Sequence, residues 1–182
     1  MLSSSKLKEL IKERKVSVDQ LAGQLVRGGF NKARALSAIR NWQRGLYTPI
    51  PRKEDISGLA SALGVEASDI SRWESFYKYA PIAPRKARLV TALIAGRPAQ
   101  EALDVLKFAN KRAAVMINKV LRSAIADADE QQADVEDLYV SEARADGAGV
   151  RVGTKRFMEK DRGRAHSIRK EASHIHVTVS KI

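Results

Sequence analysis

Along the first 79 positions the apolar residues recur every three to four places and never alternate, a pattern that predicts short amphipathic helices. The segment SKLKELIKERK puts Leu7, Leu10 and Ile11 on one side. SVDQLAGQL opens with Ser17 and carries Gln20 three positions later, a capping box ahead of Leu21, Ala22 and Leu25. Gly28 and Gly29 interrupt the chain before NKARALSAIRNWQRG, which is expected to bury Ala35, Leu36, Ile39 and Trp42 and to stop at Gly45. EDISGLASALG ends at Gly64, and EASDISRWESFYKY reads as a last helix with Trp73 in the core. Residues 1–79 are therefore expected to be all-α.

Pro81 and Pro84 punctuate the chain, since each disfavours helix at the position before it. Beyond them the pattern gives three helices and then strands. APRKARLVTALIAG carries Ala87, Val90, Leu93 and Ile94 on one stripe. PAQEALDVLKFA starts with Pro98 in its first turn and buries Ala102, Leu103 and Leu106. NKRAAVMINKVLRSAIADADE turns Ala113, Ile117, Val120, Leu121, Ala124 and Ile125 inward. DLYVSEARA and ASHIHVTVSKI then alternate with period two. The second is expected to face Ile175, Val177 and Val179 inward and His174, His176 and Thr178 outward. The predicted class is α+β: a three-helix layer on a small antiparallel sheet over residues 80–182, preceded by an all-α domain over residues 1–79.

The stretch between those two strands does not fit an apolar pattern. In TKRFMEKDRGRAH seven of thirteen residues are charged, and Phe157 and Met158 are its large apolar side chains. Strands on both sides imply that pairing continues outward as a long hairpin over about 144–170. A ribbon projecting into water is marginally stable by itself. Arg151, Lys155, Arg156, Lys160, Arg162 and Arg164 stud its flanks and tip. Phosphates around such a ribbon would order it and release counterions.

Charge extends that reading to the whole chain. The 182 residues include 33 Lys+Arg and 21 Asp+Glu, a formal net charge of +12. Residues 1–79 hold 14 basic and 8 acidic side chains and residues 80–182 hold 19 and 13, so each half is basic by six. A polyanionic partner, nucleic acid before anionic membrane, is the expectation. Arg85, Lys86 and Arg88 occupy the first turn of a helix, where the dipole repels cations and a nearby phosphate would relieve them. Arg112 and Lys119 lie seven apart on the long helix with Arg122 one turn further, a stripe that also suits plain solvation. The absence of cysteine removes disulfides and thiol chemistry and suits a reducing cytoplasm. The N-terminus lacks a signal-peptide pattern and no apolar run spans a membrane. No Gly-rich phosphate loop or nucleophile elbow is present, so no enzyme and no cofactor is expected. His174 and His176 share one strand face but have no evident third ligand, and no metal is expected.

The order SVDQLAGQL, ALSAIRNWQRG, ISGLASALGV resembles the repressor-type helix-turn-helix fold, over roughly residues 6–77. The resemblance departs in the longer link VRGGFNKAR. LASALGVEASDISRWE also matches a helix-turn-helix pair by itself, which leaves the recognition helix open. On the first candidate Arg34, Ser37, Asn41 and Arg44 share one face, and Arg and Asn make bidentate contacts with base edges. A solvated face of a structural bundle fits the same residues. The functional alternative that follows is a DNA- or mRNA-binding regulator acting through residues 1–79.

Residues 81–182 resemble the bacterial large-subunit ribosomal protein of the L-twenty-two family. The motifs are APRKARLVTALIAG, ALDVLKFANKRAAVMINKVLRSAIADA and KRFMEKDRGRAHSIRKEASHIHVTVS. The resemblance implies a structural ribosomal protein in the cytoplasm, with a long hairpin reaching through large-subunit rRNA. It also implies a role in subunit assembly and a tip near Met158–Arg164 lining the nascent-peptide exit tunnel. Partners would be that rRNA, neighbouring ribosomal proteins and the nascent peptide, with DNA or further RNA reached through residues 1–79. The rRNA-contacting residues it implies are Arg85, Lys86, Arg88, Lys107, Asn110, Lys111, Arg112 and Lys119 on the helices. On the ribbon and its return strand they are Arg151, Lys155, Arg156, Lys160, Arg162, Gly163, Arg164, His166, Arg169, Lys170, Ser173 and His174. Glu159 and Asp161 depart from the family pattern at the tip and would need cationic neighbours beside RNA.

Overall fold

A computed structural model describes residues 1–25 and 31–181. The break expected at Gly28 and Gly29 lies outside the described residues. The chain divides into two compact units, one of residues 1–72 with 180–182 and one of residues 73–179.

The first unit contains α1 (Ser4–Arg14), α2 (Val18–Gln24), α3 (Lys32–Gln43) and α4 (Lys53–Leu63). Its core gathers Leu7, Leu21, Ala22, Leu25, Ala35, Ala38, Ile39, Trp42, Leu59, Leu63 and Ile70. The capping box at the start of α2 forms as expected: the Gln20 N–H donates to Ser17 Oγ at 3.3 Å and the Ser17 N–H donates to Gln20 Oε1 at 3.2 Å. Gly64 closes α4 at φ 64°, the left-handed conformation that glycine adopts at least cost. Asp55, buried in α4, accepts the Arg52 N–H at 2.8 Å and so satisfies the helix start. Trp42 is fully buried and its Nε1–H donates to the Pro49 carbonyl at 2.6 Å.

The second unit contains β1 (Arg72–Ala80, which begins one residue before it), α5 (Pro84–Ile94), α6 (Ala99–Phe108), α7 (Arg112–Asp129), β2 (Leu138–Val150), β3 (Arg156–Lys160), β4 (Arg164–Ile168) and β5 (Glu171–Lys181, which ends two residues after it). Strands β1, β5 and β2 form one small antiparallel sheet in that order, and β3 and β4 pair as a separate ribbon. Val90, Ile94, Ala102, Leu106, Ile117, Val120, Leu121 and Ala124 from the three helices meet Trp73, Leu138, Val140, Ile175, Val177 and Val179 from the sheet. That is the α+β arrangement of three helices on a sheet.

Four local expectations are corrected. Arg72–Ala80 is a strand, not the end of a helix, so the all-α reading stops short of residue 79. With no helix between Gly64 and the start of β1 at Arg72, LASALGVEASDISRWE is not a helix-turn-helix pair. Leu93 is exposed and Thr91 takes the buried place on α5, where its hydroxyl donates to the Arg88 carbonyl at 3.2 Å. Thr178, expected outward, is also buried.

Candidate nucleic-acid interface

The ribbon β3–β4 aligns Arg156 with Ile168, Phe157 with Ser167, Met158 with His166, Glu159 with Ala165 and Lys160 with Arg164. Every residue of both strands is exposed, including Phe157 and Met158. The pairs opposite each other share a face, so Arg156, Lys160 and Arg164 gather on one side with Met158 and His166. Glu159 falls on the other side, opposite Ala165, away from those cations. Asp161, Arg162 and Gly163 make the turn with φ of 32°, 56° and 79°, three left-handed residues in a row. Lys160 directly opposite Arg164 is a repulsive pair, and nothing apolar is buried to offset it. Asp161 Oδ2 lies 3.5 Å from His166 Nε2 across the turn. Lys155 Nζ sits 5.5 Å from the Phe157 ring centre, which keeps a cation on the ribbon's flank.

At the ribbon's root the Arg151 N–H donates to the Lys170 carbonyl at 2.8 Å, and the Thr154 hydroxyl donates to the Arg151 carbonyl at 2.7 Å. Arg151, Arg169 and Lys170 are exposed around these bonds, and Arg162 is exposed at the turn. On α5, Arg85 and Lys86 are exposed in a first turn that holds no acidic residue. Arg88 is exposed too, yet its Nε–H donates to the Ala145 carbonyl on β2 at 2.9 Å. Lys107, Asn110, Lys111 and Arg112 are exposed at the α6–α7 junction. Lys119 lines two depressions: one of about 620 Å³ with Arg112, Val115, Met116 and Tyr77, and one of about 360 Å³ with Lys107, Asn118 and Arg122.

Two residues of the implied contact set stand apart from these exposed cations. Ser173 is fully buried and its hydroxyl has no partner, so it cannot reach a phosphate outside. His174 Nδ1 accepts the Tyr79 N–H at 3.2 Å, which places the neutral ring's proton on Nε2. His176 Nδ1 lies 3.4 Å from Glu74 Oε1, within ion-pair reach but off hydrogen-bond alignment. Among the described residues no cluster of three or more His, Cys, Asp or Glu side chains could hold a metal, and no helix is long and apolar enough to cross a membrane.

The family model for ribosomal protein L22p/L17e matches residues 76–180. The chain belongs to that family. Three relatives are each named large ribosomal subunit protein uL22. The one from Caldicellulosiruptor saccharolyticus is 40% identical over 115 residues, covering 63% of this chain and 92% of the relative. The one from Pelobacter propionicus is 44% identical over 100 residues, 54% of this chain and 87% of the relative. The one from Geobacter sulfurreducens is 42% identical over 103 residues, 56% and 90%. The uL22 match therefore takes in the sheet, the three helices and the ribbon, and leaves α1 to α4 outside.

On α3, outside the uL22 match, Arg34, Ser37 and Arg44 are exposed. Asn41 is half-buried, and its Nδ2 donates to the Thr48 carbonyl at 2.9 Å. That bond occupies the amide expected to read a base, because the loop after α3 folds back over it. Lys32 and Arg40, which the spacing argument passed over, are exposed on the same helix, and α3 contains no acidic residue. The run FYKY on β1, read as helix, contains the exposed Phe76, Tyr77 and Tyr79. No helical period could have marked them.

Proposed function

We propose that this chain is a structural protein of the large ribosomal subunit that binds its rRNA, aids its assembly, and places the turn at residues 161–163 in the nascent-peptide exit tunnel. The observation that carries the reading is the ribbon. It buries no apolar side chain and sets Lys160 against Arg164, so its form needs anions around it. Arg85, Lys86, Lys107, Lys111, Arg112 and Lys119 supply further cations on the helices of the same unit. Neighbouring ribosomal proteins and the emerging peptide are the other partners of this reading. Membership of a ribosomal protein family and the names of the uL22 relatives support it. The test is sedimentation of the tagged full chain with large subunits through a moderate-salt wash, followed by a map of the particle. Density for residues 153–168 among rRNA is expected, and a chain found in the free pool alone defeats the reading.

One observation favours a second role for residues 1–72. Helix α3 exposes Arg34, Ser37 and Arg40 on one side, with Arg44 at its C-terminal cap and no carboxylate of its own, a face suited to a nucleic-acid backbone. We infer that this unit adds a contact to DNA or to RNA outside the family domain. Changing Arg34, Arg40 and Arg44 together to Gln in the full chain should weaken binding to a short duplex severalfold; unchanged binding removes this role.

A further inference from the structure

We propose that the face of β1 and β5 carrying Phe76, Lys78, Tyr79, His174 and His176 holds an unstacked base of single-stranded RNA. The inference rests on the reading of this chain as an RNA-binding protein and adds a contact of different chemistry, outside the ribbon.

In a regular strand Phe76 and Lys78 share one face and Tyr77 and Tyr79 the other. Ser75, Phe76 and Tyr77 line one depression with Met116 and Lys119 of α7. Tyr79 departs from the regular strand. Its φ is 54°, a left-handed conformation that is uncommon for a bulky residue. The twist sets its ring edge-on to His174, with centroids 4.8 Å apart. His174 and His176 lie two apart on β5 and so share a face, and His176 meets Phe76 at 6.1 Å. Lys78 Nζ stands 4.9 Å from the centre of the Phe76 ring. These contacts join the five side chains into one patch, and the strained residue is what brings the second aromatic ring into it.

The strain is held in place by the bond from the Tyr79 N–H to His174 Nδ1. It does not serve to bury the ring, since Tyr79 is 67% exposed and Phe76 54%. Backbone strain that leaves an aromatic ring in water is a cost to the free protein, and such costs concentrate at binding sites. Flat exposed rings beside a cation and imidazole donors match a nucleotide: the base stacks on the rings, and Lys78 meets the phosphate. Glu74, the carboxylate on this face, is already turned to His176.

The experiment uses the full chain with Phe76→Leu and Tyr79→Asn together, since Leu keeps apolar area and Asn tolerates the left-handed backbone. A Tyr79→Phe variant serves as the conservative control. The probe is an adenine-rich single-stranded RNA of about ten nucleotides, a length chosen to fit one stacking platform. The double variant should bind it about tenfold more weakly or worse, with the melting temperature retained, and Tyr79→Phe should bind normally. Equal affinity in the folded double variant overturns the inference. So does a result in which an extended peptide shifts the Tyr79 and His174 ring resonances and the RNA does not, which would assign the face to strand addition on the β1 edge. A third variant with Lys155, Arg156, Lys160, Arg162 and Arg164 changed to Gln separates the two readings. If it loses large-subunit rRNA while the double variant keeps the probe, the platform fails and the ribosomal reading stands.

Discussion

Asp161 and His166 face each other across the end of the ribbon, Oδ2 to Nε2 at 3.5 Å, beside a strand pair in which Lys160 opposes Arg164. The carboxylate is the local counter-charge of the free tip. Bound among phosphates, the same group would repel its surroundings. Asp161→Asn should keep the turn, because Asn tolerates a left-handed φ, and should remove that repulsion. The expected result is a several-fold gain in affinity for a large-subunit rRNA fragment at low salt. The gain should shrink as salt is raised to about 0.5 M, where surface charges are screened. Binding assays across a salt series check it, and a loss of affinity would mean that Asp161 contributes directly to the contact.

Among the described residues of the second unit no buried side chain lies between Ala145 and Ala172. Excising residues 153–168 and closing the ribbon with a two-residue turn should therefore leave the body intact. A melting temperature within about 2 °C of the parent is expected, together with a large loss of rRNA affinity. A substantial drop in melting temperature would show that the ribbon stabilises the body.

The features legible from sequence are those set by periodicity and charge. The apolar stripes of α6 and α7 placed Ala102, Leu106, Ile117, Leu121 and Ala124 in the core, and alternation in β5 placed Ile175, Val177 and Val179 there. The ribbon was legible through what it lacks. Strand β1 was not, because Trp73 packs inward while Phe76, Tyr77 and Tyr79 are exposed on both faces and a left-handed residue breaks its alternation. Thr91 and Leu93 exchange roles because the Thr91 hydroxyl is satisfied within its own helix. The bond from Asn41 to Thr48 and the burial of Ser173 on β5 depend on tertiary packing that no local pattern encodes.

The Asn41 bond converts a candidate base reader into a support for the loop that also carries Pro49, the acceptor of the Trp42 Nε1–H. Asn41→Ala should destabilise the first unit by about 1 kcal/mol, and Trp42→Phe by about 1–3 kcal/mol, through hydrogen bonds lost to carbonyls of that loop. Denaturant melts of the full chain, followed by circular dichroism, measure this. Asn41→Ala that leaves stability untouched yet abolishes nucleic-acid binding would return the residue to a recognition role.

Arg88 differs from its neighbours Arg85 and Lys86 in spending its Nε–H on the Ala145 carbonyl, which ties α5 to the strand that leads into the ribbon. Lysine keeps the charge but cannot hold that carbonyl while also presenting a fork to phosphate. Arg88→Lys should cost about 1 kcal/mol of stability and loosen the ribbon's root, seen as faster amide exchange near Ala145. Arg85→Gln and Lys86→Gln should leave stability within about 0.5 kcal/mol and weaken rRNA binding with a shallower salt dependence. If Arg88→Lys behaved like the other two, the bond to Ala145 would be incidental and the three cations would act only as charges.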